Sequence, residues 1–332
     1  MPGSLAHLAA LMARPDEAAR RDYLVEALRE RGLEPEVDAV GNVIAGEGPV
    51  ALAAHYDTVL RPALRARTEA AWRGPGVGDN LSGVAVLLDR ATPDPRFTFA
   101  FTVGEEGLGN LKGARRLVAA RRFQRFVAVD GYLGNVVTRA VGSLRLEAVF
   151  TGPGGHAWGE RRAPSPARAL GRALELLFGL GFGDEESLNV GRVFGGEAIN
   201  AVPRRMGLWL EVRSADPARL SALEEAVRQR LMQAASEAGT GLEIKLLGRR
   251  PAGMSADQGL IEAARGALLE VGLEPRLVAA STDAAAAVEA GVPAIAFGVY
   301  RGGGAHTEEE WVEPVSLDVG ARALAALMER LS

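Results

Sequence analysis

Short, largely apolar runs recur along this chain, and the early ones end within a few positions of a histidine or a carboxylate. Residues 50–54, 97–103, 126–129 and 294–299 are such runs. They read as strands buried on both faces. Segments with helical spacing separate them, at 16–32, 83–89, 111–120, 258–271, 283–290 and 318–331. In the first of these, Leu24, Val25, Leu28 and Leu33 recur at helical spacing, and Gly32 stands where a C-cap belongs. A chain that alternates buried strands with helices is driven toward an α/β sheet covered by helices on both sides.

The middle of the chain follows a different rule. Residues 144–150 alternate like a strand with one wet face, a helix is expected at 165–180, and strands follow at 188–194 and 206–212. Leu220, Leu223, Val227 and Leu231 mark one side of a helix at 217–238, and 242–247 closes as a strand. The order β-α-β-β-α-β is that of a split βαβ, ferredoxin-like unit. A small domain at 141–248 is therefore expected inside a larger one built from 1–140 and 249–332.

Composition narrows the chemistry. The 332 residues, 48% of them hydrophobic, suffice for two ordinary cores. A net charge of −4 gives no electrostatic case for nucleic acid, and the basic residues are almost all arginine, with Lys112 and Lys245 the exceptions. With no cysteine, disulfides and thiolate metal sites are excluded, and any metal must be held by His, Asp and Glu. Residues 1–14 lack a secretory leader, and no run approaches the roughly 20 apolar residues of a membrane span. A cytoplasmic protein with no membrane partner is expected.

Only four histidines occur. His7, in an N-terminal helix without an acidic cluster, is expected at the surface. His55 and Asp57 follow the first run, two apart on an extended segment, where a carboxylate can orient an imidazole. In open α/β sheets, ligands bind beyond the carboxyl ends of the strands. Asp79, in Gly76-Val77-Gly78-Asp79-Asn80, could bridge two metals or simply cap the next helix. Glu105-Glu106 follows the second run through Gly104. Adjacent carboxylates there are costly without nearby cations, although a solvated acidic loop would look the same. Asp130 follows the third run, as a ligand or a turn residue. His306 lies in a glycine run followed by Glu308-Glu309-Glu310, either a site loop or a flexible one. Together these residues supply two imidazoles and several carboxylates, a donor set suited to zinc, cobalt or manganese. Five ligands with a bridging carboxylate suit two metals roughly 3.5–4 Å apart.

In kind and order, these motifs resemble the co-catalytic zinc metallopeptidase family that includes peptidase T, acetylornithine deacetylase, succinyl-diaminopimelate desuccinylase and aminoacylase. The resemblance covers nearly the whole chain. It implies a zinc-exopeptidase-like α/β/α sandwich catalytic domain with an inserted ferredoxin-like α+β lid or dimerisation domain. By this resemblance His55, Asp79, Glu106, Asp130 and His306 hold two divalent ions, Asp57 orients His55, and Glu105 is the general base. His306 and Glu310 reproduce the family's closing His-x-x-x-Glu pattern, and Thr282-Asp283-Ala284 resembles a loop near the site. Gly155-His156-Ala157 resembles the motif whose histidine stabilises the oxyanion, across to a partner subunit in dimeric members. Asn200-Ala201-Val202-Pro203 and Arg213 resemble the substrate-binding asparagine and arginine. Arg213 follows the inward-facing Leu208, Leu210 and Val212, so it is expected on the opposite face, beside the sheet edge.

The implied activity is hydrolysis of an amide bond in small peptides, with homodimerisation through the inserted domain. The main alternative is deacylation of N-acyl amino acids, as in acetylornithine or acetyl-lysine deacetylases. Asp130, which is Glu in many deacylases, and Asn80-Leu81-Ser82-Gly83, as in aminopeptidase-type relatives, lean toward an exopeptidase. A non-catalytic binding protein on this fold is expected to have lost ligands or base, and this chain keeps all six.

Overall fold

The structure is a computed structural model that describes residues 3–255 and 257–331. The chain folds as two compact units, Met1–Ala140 with Met254–Ser332, and Val141–Gly253. The second unit closes later than position 248 because its last strand, Gly241–Arg250, runs past that position.

In the first unit a mixed sheet carries the apolar runs at its centre. Val50–His55 pairs in parallel with Phe97–Thr102 on one side and Arg125–Val129 on the other, and Ala294–Phe297 continues in parallel beyond Arg125–Val129. Antiparallel neighbours flank this block: Val43–Ala45 beside Phe97–Thr102, and Asn135–Ala140 beside Ala294–Phe297. Arg276–Ala280 pairs in parallel with Asn135–Ala140. The four parallel strands thus end at one edge of the sheet.

The two faces of that sheet are unlike. Leu52, Phe97, Phe99, Phe101, Val127, Ile295 and Phe297 point into a core shared with helices Ser4–Met12, Glu17–Glu30, Leu81–Arg90, Gln258–Glu270 and Pro314–Arg330. Ala51, Ala53, Ala100, Ala128, Ala294 and Ala296 face the other way. Against them pack Leu111, Ala114 and Leu117, and the alanines of the short helix Ala284–Glu289. Alternation along each strand produces both faces at once.

Several sequence-based expectations shift. Helix Glu17–Glu30 starts where Asp16 accepts a hydrogen bond from the Ala19 amide at 2.9 Å. The last helix begins at Pro314 rather than 318, with proline in its first turn where a missing N–H costs nothing. Strands Asn135–Ala140 and Arg276–Ala280 escape a search for apolar runs because each carries an arginine. His7 is not at the surface. It is buried between the Tyr23 hydroxyl, 2.7 Å from Nδ1, and the Arg31 guanidinium, 3.0 Å from Nε2.

The second unit is a four-stranded antiparallel sheet in the order Glu186–Gly195, Arg205–Ser214, Gly142–Thr151, Gly241–Arg250. Helices Pro166–Phe178 and Pro217–Ala238 cover one face, burying Leu144, Leu146, Leu208, Leu210, Val212, Leu223 and Val227. This is the expected β-α-β-β-α-β order. Among the described residues no helix is long and apolar enough to cross a membrane.

One contact in the first unit sets opposing effects against each other. Gly320 lies inside helix Pro314–Arg330, where alanine is preferred by about 1 kcal/mol on propensity alone. A Cβ there would stand 1.9 Å from the Val299 carbonyl oxygen, which is backbone and cannot turn away. Gly320→Ala is expected to lose about 1–3 kcal/mol net, as overpacking does, and to melt at a lower temperature. An unchanged or raised melting temperature would show that the helix can retreat from the sheet.

Candidate metal centre

Each residue singled out in the first unit stands at the carboxyl edge of its sheet. His55 is the last residue of Val50–His55, Glu105-Glu106 follow Phe97–Thr102, and Asp130 follows Arg125–Val129. Asp79 precedes helix Leu81–Arg90, joined to Asn80 by a cis peptide bond. His306 is on the loop after Gly302–Gly303, with a positive φ of 66° that side chains other than glycine rarely adopt.

Among the described residues, three overlapping groups bring ligand atoms within 4.8 Å of one another: His55 with Asp79 and Asp130, Asp79 with Glu106 and His306, and His55 with Glu105 and Glu106. Asp79 joins the first two. Its Oδ1 lies 3.3 Å from His55 Nε2 and its Oδ2 3.1 Å from His306 Nε2, which also lies 3.0 Å from Glu106 Oε1. One carboxylate thus offers a separate oxygen to each of two imidazoles. Imidazoles and carboxylates without thiolate fit divalent ions of the zinc, cobalt and manganese kind.

Hydrogen bonds to the backbone hold the candidate ligands in place. The Asp57 carboxylate lies 3.6 Å from His55 Nδ1, farther than the Asp57 carbonyl oxygen at 3.2 Å. Its two oxygens instead accept the amides of Glu105 at 3.2 Å and Glu106 at 2.9 Å. Asp57 therefore locks one strand end to the next. The Asn80 amide donates to the Val129 carbonyl at 3.0 Å and ties the Asp79 loop to the strand before Asp130. Buried Glu310 accepts three backbone amides, from Gly76 at 2.6 Å, Gly78 at 2.9 Å and Asp79 at 2.6 Å. It joins the loop of His306 to the loop of Asp79. Sequence marks Glu310 only by its spacing from His306 and gives no sign of this role. Nor does it announce Arg20, whose guanidinium donates to the Tyr56 carbonyl at 2.9 Å, or the bond from the Thr102 hydroxyl to Asp283 at 2.5 Å.

Charge crowding shows in the acidities. Burial, then the charge of Asp79, pushes the Asp130 carboxyl up to about 7. Hydrogen bonds to Asp79 and Glu106 lift His306 to about 10, against a smaller effect of burial. Burial opposes an imidazolium at His55, yet the bond to Asp79 and the charges of Glu105, Asp130 and Asp57 outweigh it and hold its pKa well above the ordinary value. Burial likewise opposes ionisation of Asp79, and the two histidines overcome it. Protons held on His55, His306 and Asp130 offset the crowded carboxylate charge.

His156, Asn200 and Arg213 belong to the second unit. His156 ends the two-residue strand Gly155–His156, which pairs with Ala201–Val202, and the Ala157 amide donates to the Asn200 carbonyl at 2.9 Å. His156 and Asn200 are therefore neighbours. The exposed His156 ring accepts the Trp158 and Gly159 amides at Nδ1, at 3.2 and 3.4 Å. In the neutral ring the proton is then on Nε2. Arg213 lies on the face opposite Leu210 and Val212, but not beside an edge. Its strand is flanked on both sides, and its guanidinium pairs with Glu211, which Arg145 also contacts at 3.1 Å.

A sequence profile of peptidase family M20/M25/M40 matches residues 51–330. The fold is similar to that of a tripeptidase from Staphylococcus aureus (TM-score 0.84, 21% identity, covering 99% of this chain and 97% of that one). It is also similar to aminopeptidase PepT from Bacillus cereus (TM-score 0.79, 22% identity, covering 98% of each). A third structure, the YxeP protein of Bacillus subtilis, is described as a dinuclear metal-binding peptidase of family M20 (TM-score 0.70, 19% identity, covering 98% of this chain and 96% of that one). The profile takes in most of the chain, and the protein belongs to peptidase family M20/M25/M40.

Proposed function

We propose that the protein is a two-metal exopeptidase that cleaves an amide bond in small peptides. The observation that carries this reading is Asp79, whose two oxygens face separate imidazoles while Glu105 stands in the adjoining group. Two divalent ions, zinc by preference, would supply Lewis acidity and lower the pKa of water. His55, Asp79 and Asp130 would hold one ion, and Asp79, Glu106 and His306 the other. Asp57 fixes the backbone of both glutamates. Glu105, 5% exposed, is the residue in position to take a proton from the attacking water and return it to the leaving amine. His156 offers an N–H at Nε2 for the negative charge that develops on the substrate oxygen. Arg213 and Asn200 offer donors for a substrate carboxylate. The likeness to a tripeptidase and an aminopeptidase, with Asp130 and Asn80-Leu81-Ser82-Gly83, supports peptides over N-acyl amino acids.

Metal uptake is expected to depend steeply on pH. Both imidazoles carry raised pKa values, about 10 for His306, and Asp130 titrates near 7. All three must lose protons to become ligands, so affinity rises as pH rises, and binding releases protons. Competition with a chelator at pH 6, 7 and 8 should show affinity climbing across that range, with acidification of a weakly buffered sample. Affinity independent of pH would mean that other groups hold the metal.

Base and ligand should separate by substitution. With zinc, cobalt or manganese, di- and tripeptides should be hydrolysed faster than N-acetyl or N-succinyl amino acids. Glu105→Gln should lose most of kcat and keep both metals, whereas Glu106→Gln should weaken one metal. Cleavage confined to acyl amino acids would replace the peptidase with a deacylase. Loss of metal in Glu105→Gln, with activity per bound metal retained, would reverse the two roles.

His156→Ala should lower kcat on the order of 100-fold, the range for one oxyanion donor, with metal content intact. A change confined to KM would make His156 a binding residue instead.

A further inference from the structure

Beside the carboxylates, the first unit carries a groove of about 590 Å3 that the reading above leaves unused. Two site loops frame it. Tyr132, two residues beyond Asp130, forms one wall, and Trp311, on the segment that follows His306, forms another. The Tyr132 ring meets the Tyr300 ring edge-on with centroids 5.4 Å apart. Tyr300 in turn packs against Gly78, where an added Cβ would come within 2.9 Å of its ring. Gly78 adjoins Asp79, so groove and metal centre share a partition.

The sheet places the groove at the same edge. Ala294–Phe297 ends where Asn135–Ala140 begins, with Phe297 opposite Val136, and Asn135 is in register with Arg276 at the start of the next strand. Arg276 therefore stands at the carboxyl end of the parallel block, where the candidate ligands are.

Two guanidiniums, Arg276 and Arg301, and one carboxylate, Glu313, line this groove. Arg301 and Glu313 approach each other to 3.6 Å. The exposed Arg276 side chain has no ion-pair partner among the described residues. Aromatic walls with an uncommitted guanidinium fit a carboxylate carried on a short apolar stem, because the planar fork matches both its oxygens.

We propose that this groove is a substrate subsite that selects an acidic side chain, so that peptides containing aspartate or glutamate are preferred. The inference rests on the hydrolytic reading and deepens it by naming the substrate class.

The test is an alanine tripeptide with glutamate or glutamine at each position in turn, assayed at low salt. At one position the glutamate peptide should exceed the glutamine peptide in kcat/KM by about tenfold, the scale of one partly exposed charged hydrogen bond. Arg276→Gln should bring that ratio toward one, and Arg276→Glu should invert it. A wild-type ratio near one at every position, or a ratio that neither variant changes, overturns the proposal. If the wild type cleaves none of these peptides, the hydrolytic reading fails separately, and calorimetric titration with N-acetylglutamate and N-acetylglutamine decides the groove. Tighter binding of the acid, lost in Arg276→Glu, supports the subsite. Equal affinities overturn it.

Discussion

Four carboxylates, Asp79, Glu105, Glu106 and Asp130, converge at one edge of a sheet, and their mutual repulsion is the constraint the rest of the site must meet. Left alone, such groups would swing toward water. The fold prevents this by gripping the backbone beside them rather than the carboxylates themselves. Asp57 holds the amides of both glutamates, Asn80 holds the strand before Asp130, and Glu310 holds the loop that ends in Asp79. Each grip joins two segments far apart in sequence. The acids stay together because their supports cannot move apart.

This arrangement divides labour between chemistry and position. Residues that face the centre can exchange protons, as the raised pKa values of His55, His306 and Asp130 show. The gripping residues spend their hydrogen-bonding capacity on main-chain groups, amides for Asp57 and Glu310 and a carbonyl for Asn80. Gly78 shows the tolerance involved: a single Cβ there would meet both the Glu310 carboxylate and the Tyr300 ring.

The main elements were legible in the sequence because burial on both faces removes alternation and leaves apolar runs that helical segments separate. The clustering of the candidate ligands was legible for a related reason: parallel strands deliver their following residues to one edge. The runs ending before His55, Glu105 and Asp130 therefore mark residues that the fold brings together. Strands Asn135–Ala140 and Arg276–Ala280 were not legible, since Arg139 interrupts the first and the apolar part of the second is only four residues long, so that tertiary pairing makes each a strand. His7 was misjudged because a buried polar cluster with Tyr23 and Arg31 leaves no local trace. The grip of Asp57 was half legible. Its nearness to His55 could be read from spacing, but its hold on the glutamates depends on strand order, which spacing does not encode.

The alanine-lined face of the sheet acts on the site from behind. Alanines make up most of the layer between Ala284–Glu289 and the strands, so this stub of helix can ride lower than a leucine-bearing helix could. Asp283 sits at its start, low enough to take the Thr102 hydroxyl bond, and its charge helps raise the pKa of Asp130. The thickness of a methyl layer is thus a tuning screw. One added methylene beneath the stub would lift Asp283 away from Thr102 and reset the proton balance of Asp130 on another strand.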